Sequence, residues 1–236
     1  MDFASMLEPP RRAVLTTSVT LGLAVGVFAI LFGVGAVAAG ASTWQACAMS
    51  LLAFTGASQF SAVAVIASGG SVASALGGAL LLAARNGVFG LTMSKTITGN
   101  LATRLVAAQL TLDESTAMAS SQDEPDLQRL AFWATGLSVY VFWNLGTLIG
   151  ALAGSAIDPT EYGLDAAIPS AFVAMLWPHL RTTNGRRAAA IGALLCLVTT
   201  PFLPIGLPIL VAATAIFIGV PTPTGRASND AAGVPA

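Results

Sequence analysis

Phe54-Thr55-Gly56-Ala57-Ser58-Gln59-Phe60 is a run of small and amide-bearing residues in the middle of a long apolar tract. From Ala13 to Ala84 the chain has no Asp, Glu, Lys or Arg. Such a tract belongs in a bilayer, where about 20 apolar residues make one helical crossing. A Gly-Ala-Ser-Gln core inside it is out of place, because a buried amide without partners costs about 2–7 kcal/mol. Two readings follow. In one, the run is a packing seam, since small residues let transmembrane backbones approach closely. In the other, it is a break in a helix that presents freed peptide groups to a substrate.

Composition fixes the class. Of 236 residues, 55% are hydrophobic and only 9% are charged, against about 25% charged in a soluble domain. Mean hydropathy is +0.79. The 24 Gly and 12 Pro suit transmembrane helices that pack tightly and bend. The expected fold is an all-α, polytopic transmembrane helix bundle of about seven to eight spans. It includes a broken or re-entrant helical pair and has room for an inverted repeat. Cys47 and Cys196 lie in separate apolar segments and read as small buried hydrophobes. They do not make a metal site or a disulfide framework. The single His179, next to Pro178, reads as an interfacial residue. No metal and no cofactor is implied.

The chain divides into a polar tail (1–13), a transmembrane domain (14–220) and a polar tail (221–236). Arg11-Arg12 before the first apolar run resembles a signal-peptide start, but the run is too long and lacks a cleavage site, so it reads as a retained span. Apolar segments follow at about 14–39, 44–67 and 71–98. The third is interrupted by Arg85-Asn86-Gly87. Each piece beside that interruption is about 20 Å long as a helix, short of the roughly 30 Å hydrocarbon core. The segment is therefore either one long helix with a buried arginine or two half-helices with Arg85 at the tip. Residues 99–129 form the only long polar stretch, with Asn100–Leu112 read as an interfacial helix. Further spans are read at about 130–154 and 166–180, the latter broken by Pro169, and within 188–220.

Positive charge tests the topology. If 71–98 enters and leaves on one side, Arg11, Arg12, Lys95, Arg104, Arg129, Arg181, Arg186, Arg187 and Arg226 all fall together. The acidic loop with Asp158, Glu161 and Asp165 then falls opposite. The positive-inside rule favours that arrangement, with both termini cytoplasmic.

Arg85 is the first candidate for chemistry. An arginine at mid-membrane costs about 2.5–3.5 kcal/mol and usually faces an interior or a cavity. The alternative is a helix-end arginine snorkelling to a headgroup. Its guanidinium matches a carboxylate. Gln59 and Ser58, with backbone freed at Gly56, offer further donors and acceptors. Asp113-Glu114, on spacing alone, is a solvated pair in a loop. No Ser-His-Asp set, H-E-x-x-H, C-x-x-C or phosphate loop is present, so nothing points to an enzyme or an ATP-driven motor. No basic patch supports nucleic-acid binding.

Five stretches in order resemble the AzlC/YgaZ family, the large subunit of bacterial branched-chain amino-acid exporters. They are Phe54–Phe60; Arg85-Asn86-Gly87-Val88-Phe89-Gly90; Leu110-Thr111-Leu112-Asp113-Glu114-Ser115; Trp143 with Gly146-Thr147-Leu148-Ile149-Gly150-Ala151; and Gly163-Leu164-Asp165-Ala166-Ala167-Ile168-Pro169-Ser170-Ala171-Phe172. The order and spacing cover about residues 14–220. The family commonly has Arg-His where this chain has Arg85-Asn86, so a role for that histidine does not transfer. The resemblance implies an inner-membrane secondary exporter of valine, leucine and isoleucine. It also implies a small hydrophobic partner of the AzlD/YgaH type, and it makes Asp113-Glu114 worth testing. The expected substrate-binding set is Phe54, Gly56, Ala57, Ser58, Gln59, Phe60, Arg85 and Asn86. Asp113 and Glu114 are the candidates for ion coupling, and Pro169 is a structural break. The competing function is a non-transporting membrane scaffold or regulatory subunit, whose motifs are packing seams.

Overall fold

The computed structural model describes residues 8–156, 167–177 and 179–215, and these are helical with no strand among them. The acidic stretch at 157–165 and the tail beyond 215 lie outside the described residues. Three helices are long and apolar enough to cross a membrane. They are α1 (Pro9–Ala38), α4 (Val72–Met93) and α7 (Pro125–Ala156). The other elements are α2 (Thr43–Leu52), α3 (Ala57–Ala67), α5 (Leu101–Gln109), α6 (Asp113–Ser120), α8 (Ala167–Leu176), α9 (Thr183–Thr199) and α10 (Leu207–Ala213). A short 3-10 turn spans His179–Arg181. Among the described residues three helices are thus long and apolar enough to cross, with shorter helices between and after them, and the expected seven to eight spans are not confirmed.

Helices α1 and α7 form the spine. The Ser18 hydroxyl pairs with that of Thr135 at 2.8 Å. Further along, Gly22 lies against Ser138, Gly26 against Phe142, Gly33 against Thr147 and Gly150, and Gly154 against Val34. Both sets of numbers rise together, so the two helices run parallel. Small residues line the seam because nothing larger fits: a Cβ on Gly146 or Gly150 would overlap the backbone carbonyl of Gly26 or Ile30. This is backbone-to-backbone packing of the small-xxx-small kind.

Between these parallel helices the chain must return once, and α4 makes that return. Its carboxyl-terminal end reaches the start of α7, where Arg129 Nε donates to the Thr96 carbonyl at 3.5 Å. Its 22 residues span about 33 Å, so it begins at the end of the bundle where α1 finishes. The α2–α3 pair joins α1 to α4 and must therefore enter and leave at that end. The α5–α6 pair does the same from the opposite end. It starts next to Arg129 and closes where Gln128 Nε2 donates to the Gln122 carbonyl at 2.8 Å. Each is a hairpin of half-helices, too short to cross.

The re-entrant pair expected at 71–98 is therefore corrected. That segment is one continuous helix, and the breaks lie at 53–56 and 110–112. Arg85-Asn86-Gly87 does not stop α4, because Arg and Asn tolerate a helix interior and one Gly costs only about 1 kcal/mol. The topology still sorts charge. Arg11 and Arg12 open α1, Lys95 follows α4, and Arg104 and Arg129 sit in α5 and early α7. All five lie at the same end of the bundle, because two hairpins replace the full span and the loop that were expected. Pro169 does not break a helix either: it stands in the first turn of α8, where the backbone N–H has no intrahelical partner to lose. Helix α8 packs on α1 and α3, and α10 packs on α9 and α4.

Candidate functional site

The two hairpin tips meet beside the middle of α7. The Leu51 carbonyl, at the end of α2, accepts from Gln109 Nε2 at 2.9 Å and from the Tyr140 hydroxyl at 3.3 Å. The Phe54 and Tyr140 rings meet edge to face at 4.9 Å. On the other tip, Leu110 sits against Gly136, where a Cβ would come within 2.9 Å of the Leu110 Cβ.

Each tip is the start of a half-helix. Gly56 has φ +56, a conformation side chains disfavour, and it turns the chain from α2 into α3. Its N–H donates to Gln59 Oε1 at 3.2 Å, and Gln59 Nε2 donates to the Met49 carbonyl at 3.0 Å. The amide at 59 thus ties the end of α2 to the start of α3. Thr55 and Ser58 share a hydroxyl–hydroxyl bond across the same turn. The second tip repeats the pattern, with the Leu112 N–H donating to Ser115 Oγ at 3.0 Å. In both, the third residue of the half-helix caps the backbone before it.

A cavity of about 210 Å³ lies between the tips. Its apolar wall is Val25, Phe28, Phe54, Phe60, Leu112, Val139 and Trp143, and its polar wall is Thr55, Gly56, Ala57, Arg85, Asn86, Asp113 and Glu114. Phe60 and Trp143 stack around Phe32 behind that wall, and Phe60 also meets Phe172 of α8. The size is below the roughly 300–1,000 Å³ of drug-sized pockets, so it suits a small ligand with one apolar and one polar end.

The polar end holds an ion pair. Arg85 Nη1 lies 2.7 Å from Asp113 Oδ2, with both side chains a little over a third exposed. Arg85 Nε and Asp113 Oδ1 are buried and make no hydrogen bond among the described residues. The same holds for the indole N–H of Trp143. Beside them Glu114, outside the three crossing helices, has its carboxyl pushed above the usual carboxylate range. Burial is the main cause and the charge of Asp113 adds to it; its own backbone N–H and Arg85 pull the other way.

The structure brings Phe54, Gly56, Ala57, Phe60, Arg85, Asn86, Asp113 and Glu114 to one cavity, and it leaves Ser58 and Gln59 out of its lining. Both are buried in the turn that shapes it. The pair Asp113-Glu114, which spacing alone reads as solvated, is the first turn of α6. Val25, Phe28, Val139 and Trp143 had no signal of their own in the sequence beyond apolarity and, for Trp143, its place in a family stretch.

The family model for AzlC protein matches residues 20–157. The chain belongs to the AzlC family. That match takes in α1 from residue 20 onward, all of α2 through α7, both hairpins and the cavity. A protein of Helicobacter pylori (strain ATCC 700392 / 26695) described as an uncharacterized membrane protein is 25% identical over 210 residues, covering 86% of this chain and 91% of that one. No solved structure matches. The chain is a membrane protein of a transport-associated family.

Proposed function

We propose that this chain is the transport subunit of a secondary active exporter for hydrophobic amino acids, the branched-chain ones among them. One observation carries the reading: the Arg85–Asp113 ion pair stands in the wall of a small, mostly apolar cavity, with both side chains a little over a third exposed. A zwitterion meets both charges. Its carboxylate accepts from Arg85 and from the N–H groups that open α3 at Ala57, where the helix dipole favours negative charge. Its ammonium donates to Asp113. The aliphatic side chain then lies among Phe28, Phe54, Phe60 and Trp143, and burying it stabilises binding by about 1.5–3 kcal/mol.

The two hairpins supply the gates in this reading. They enter from opposite ends and meet at their tips, so moving one tip opens the cavity to one side. The basic residues gathered at the end where α1 and α7 begin make that end cytoplasmic by the positive-inside rule. The plasma membrane of a bacterium is the setting. A small AzlD-type subunit completes the transporter, and α4 has room for it: Leu76, Leu80, Leu81, Val88 and Leu91 are exposed along that helix.

The test is efflux of labelled valine and leucine from cells with and without this chain, expressed alone and with an AzlD-type subunit. Faster efflux with the wild type, lost in Arg85→Ala at equal membrane levels, supports the reading. Unchanged efflux with the wild type counts against it and favours a scaffold.

A further inference from the structure

We propose that Glu114 is the carboxylate on which a proton and the substrate's ammonium compete, so that the site exchanges one proton for one amino acid. This rests on the amino-acid reading of the cavity and deepens it.

Charge accounting leads there. The cavity lining carries one positive group, Arg85, and two negative ones, Asp113 and Glu114. Arg85 is bonded to Asp113, so that pair is neutral as a unit. No ion pair satisfies Glu114 among the described residues. The elements packed around it add nothing: α1, α7 and the α2–α3 turn bring only apolar or neutral side chains to the cavity, and α4 brings Asn86 besides Arg85. An unbalanced carboxylate in a confined, mostly apolar space is costly and takes up a proton instead. The raised carboxyl at 114 agrees with this.

A bound zwitterion changes that balance locally. Its carboxylate lies toward Arg85 and the start of α3, and its ammonium lies toward the first turn of α6. That positive group next to Glu114 favours the ionised carboxylate, and the proton leaves. In the reverse sense, protonation at Glu114 removes half of the negative charge that holds the ammonium. Binding of one disfavours the other, and by linkage the effect is reciprocal. With the proton loaded from the more acidic outer side and released inside, substrate moves outward. No bond to carbon changes; one O–H bond forms and breaks at the Glu114 carboxyl.

The experiment uses the full chain in proteoliposomes, with an AzlD-type subunit where transport requires it. Leucine counterflow and leucine efflux driven by an imposed pH gradient are measured for the wild type and Glu114→Gln. Wild-type protein is expected to do both, and leucine added to solubilised wild type is expected to release protons to a pH dye. Glu114→Gln fixes the side chain in its neutral form. It is therefore expected to bind leucine more weakly, by about tenfold or more, than wild type whose Glu114 is ionised, to release no protons when leucine is added, and to lose the gradient-driven component by about tenfold or more. In wild type the apparent Kd for leucine rises about tenfold per unit of pH fall once Glu114 is protonated, and in Glu114→Gln it is flat. Glu114→Gln protein that still couples efflux to the gradient overturns the proposal. So does wild-type counterflow without proton release on leucine addition, a result that needs no variant to fold. Absence of counterflow in wild type defeats the amino-acid reading itself, and this proposal with it.

Discussion

The α1–α7 seam and the α2–α3 hairpin tip use the same kinds of residue to opposite ends. Along the seam, Gly22, Gly26, Gly33, Gly146 and Gly150 sit in unbroken helices, and each missing side chain is filled by the other helix's atoms. At the α2–α3 tip, Gly56 has nothing nearer to an added Cβ than the Trp143 ring at 3.7 Å, and its role is its φ of +56. One glycine type removes space and the other turns the chain. Where backbone meets backbone, the molecule is a fixed frame. Where backbone is turned aside, peptide groups and side chains are left partly unpaired around a cavity. That contrast locates function better than small-residue content does, since the two regions do not differ in it.

The largest effect that would break the comparison is expected at the seam. Gly150→Leu forces a side chain into the Ile30 carbonyl, and overpacking of this kind costs about 1–3 kcal/mol or more. Folded protein should fall sharply in a detergent melting assay. Gly56→Ala should lower the melt by less, through about 1–3 kcal/mol of backbone strain, while transport falls further than the loss of folded protein accounts for. If both variants fail alike in folding, the tip is only another seam.

Arg85→Ala comes next. It removes the cavity's positive group and leaves Asp113 and Glu114 together, so leucine affinity should fall at least tenfold or so. The double variant Arg85→Ala with Asp113→Ala restores charge balance. It should regain melting temperature without regaining transport, which separates a binding pair from a structural one.

Gln59→Leu is smaller and sharper. It removes the amide that serves the Gly56 N–H and the Met49 carbonyl, and stranding such groups costs about 1–3 kcal/mol. The melt should drop, while leucine transport per folded molecule stays within about twofold. Loss of transport with an unchanged melt would put Gln59 back on the substrate. The smallest effect is Tyr140→Phe, which drops one long bond to Leu51 at 3.3 Å, worth about 0.5–1.5 kcal/mol.

These outcomes also bear on what the sequence showed. The membrane class and both spine helices were legible, because an uncharged run of more than 70 residues and a long aromatic-rich segment leave few alternatives. Phe54–Phe60 stood out as a break for a sound reason, its φ-permissive glycine in an apolar run. The second break did not, since Leu110-Thr111-Leu112 carries no Gly or Pro, the stretch before it reads as an interfacial helix and Asp113-Glu114 after it as a solvated pair in a loop. Polarity at 113–114 signals a cavity as readily as it signals water. Arg85 was misplaced as a helix tip because composition cannot show that its charge is met by a residue 28 positions later, across the bundle. Gln59 was legible as a buried amide, and its partners were not, because Met49 is an unremarkable position until the chain turns back on it.

Direct binding of labelled leucine to the purified protein tests the central claim most simply. The account predicts saturable binding, competed by valine and isoleucine and weakened about tenfold or more in Arg85→Ala. It also predicts that isoamylamine and 4-methylpentanoic acid, which each keep one charge of the zwitterion, compete poorly. No saturable binding, or equal competition by either single-charge analogue, would contradict it.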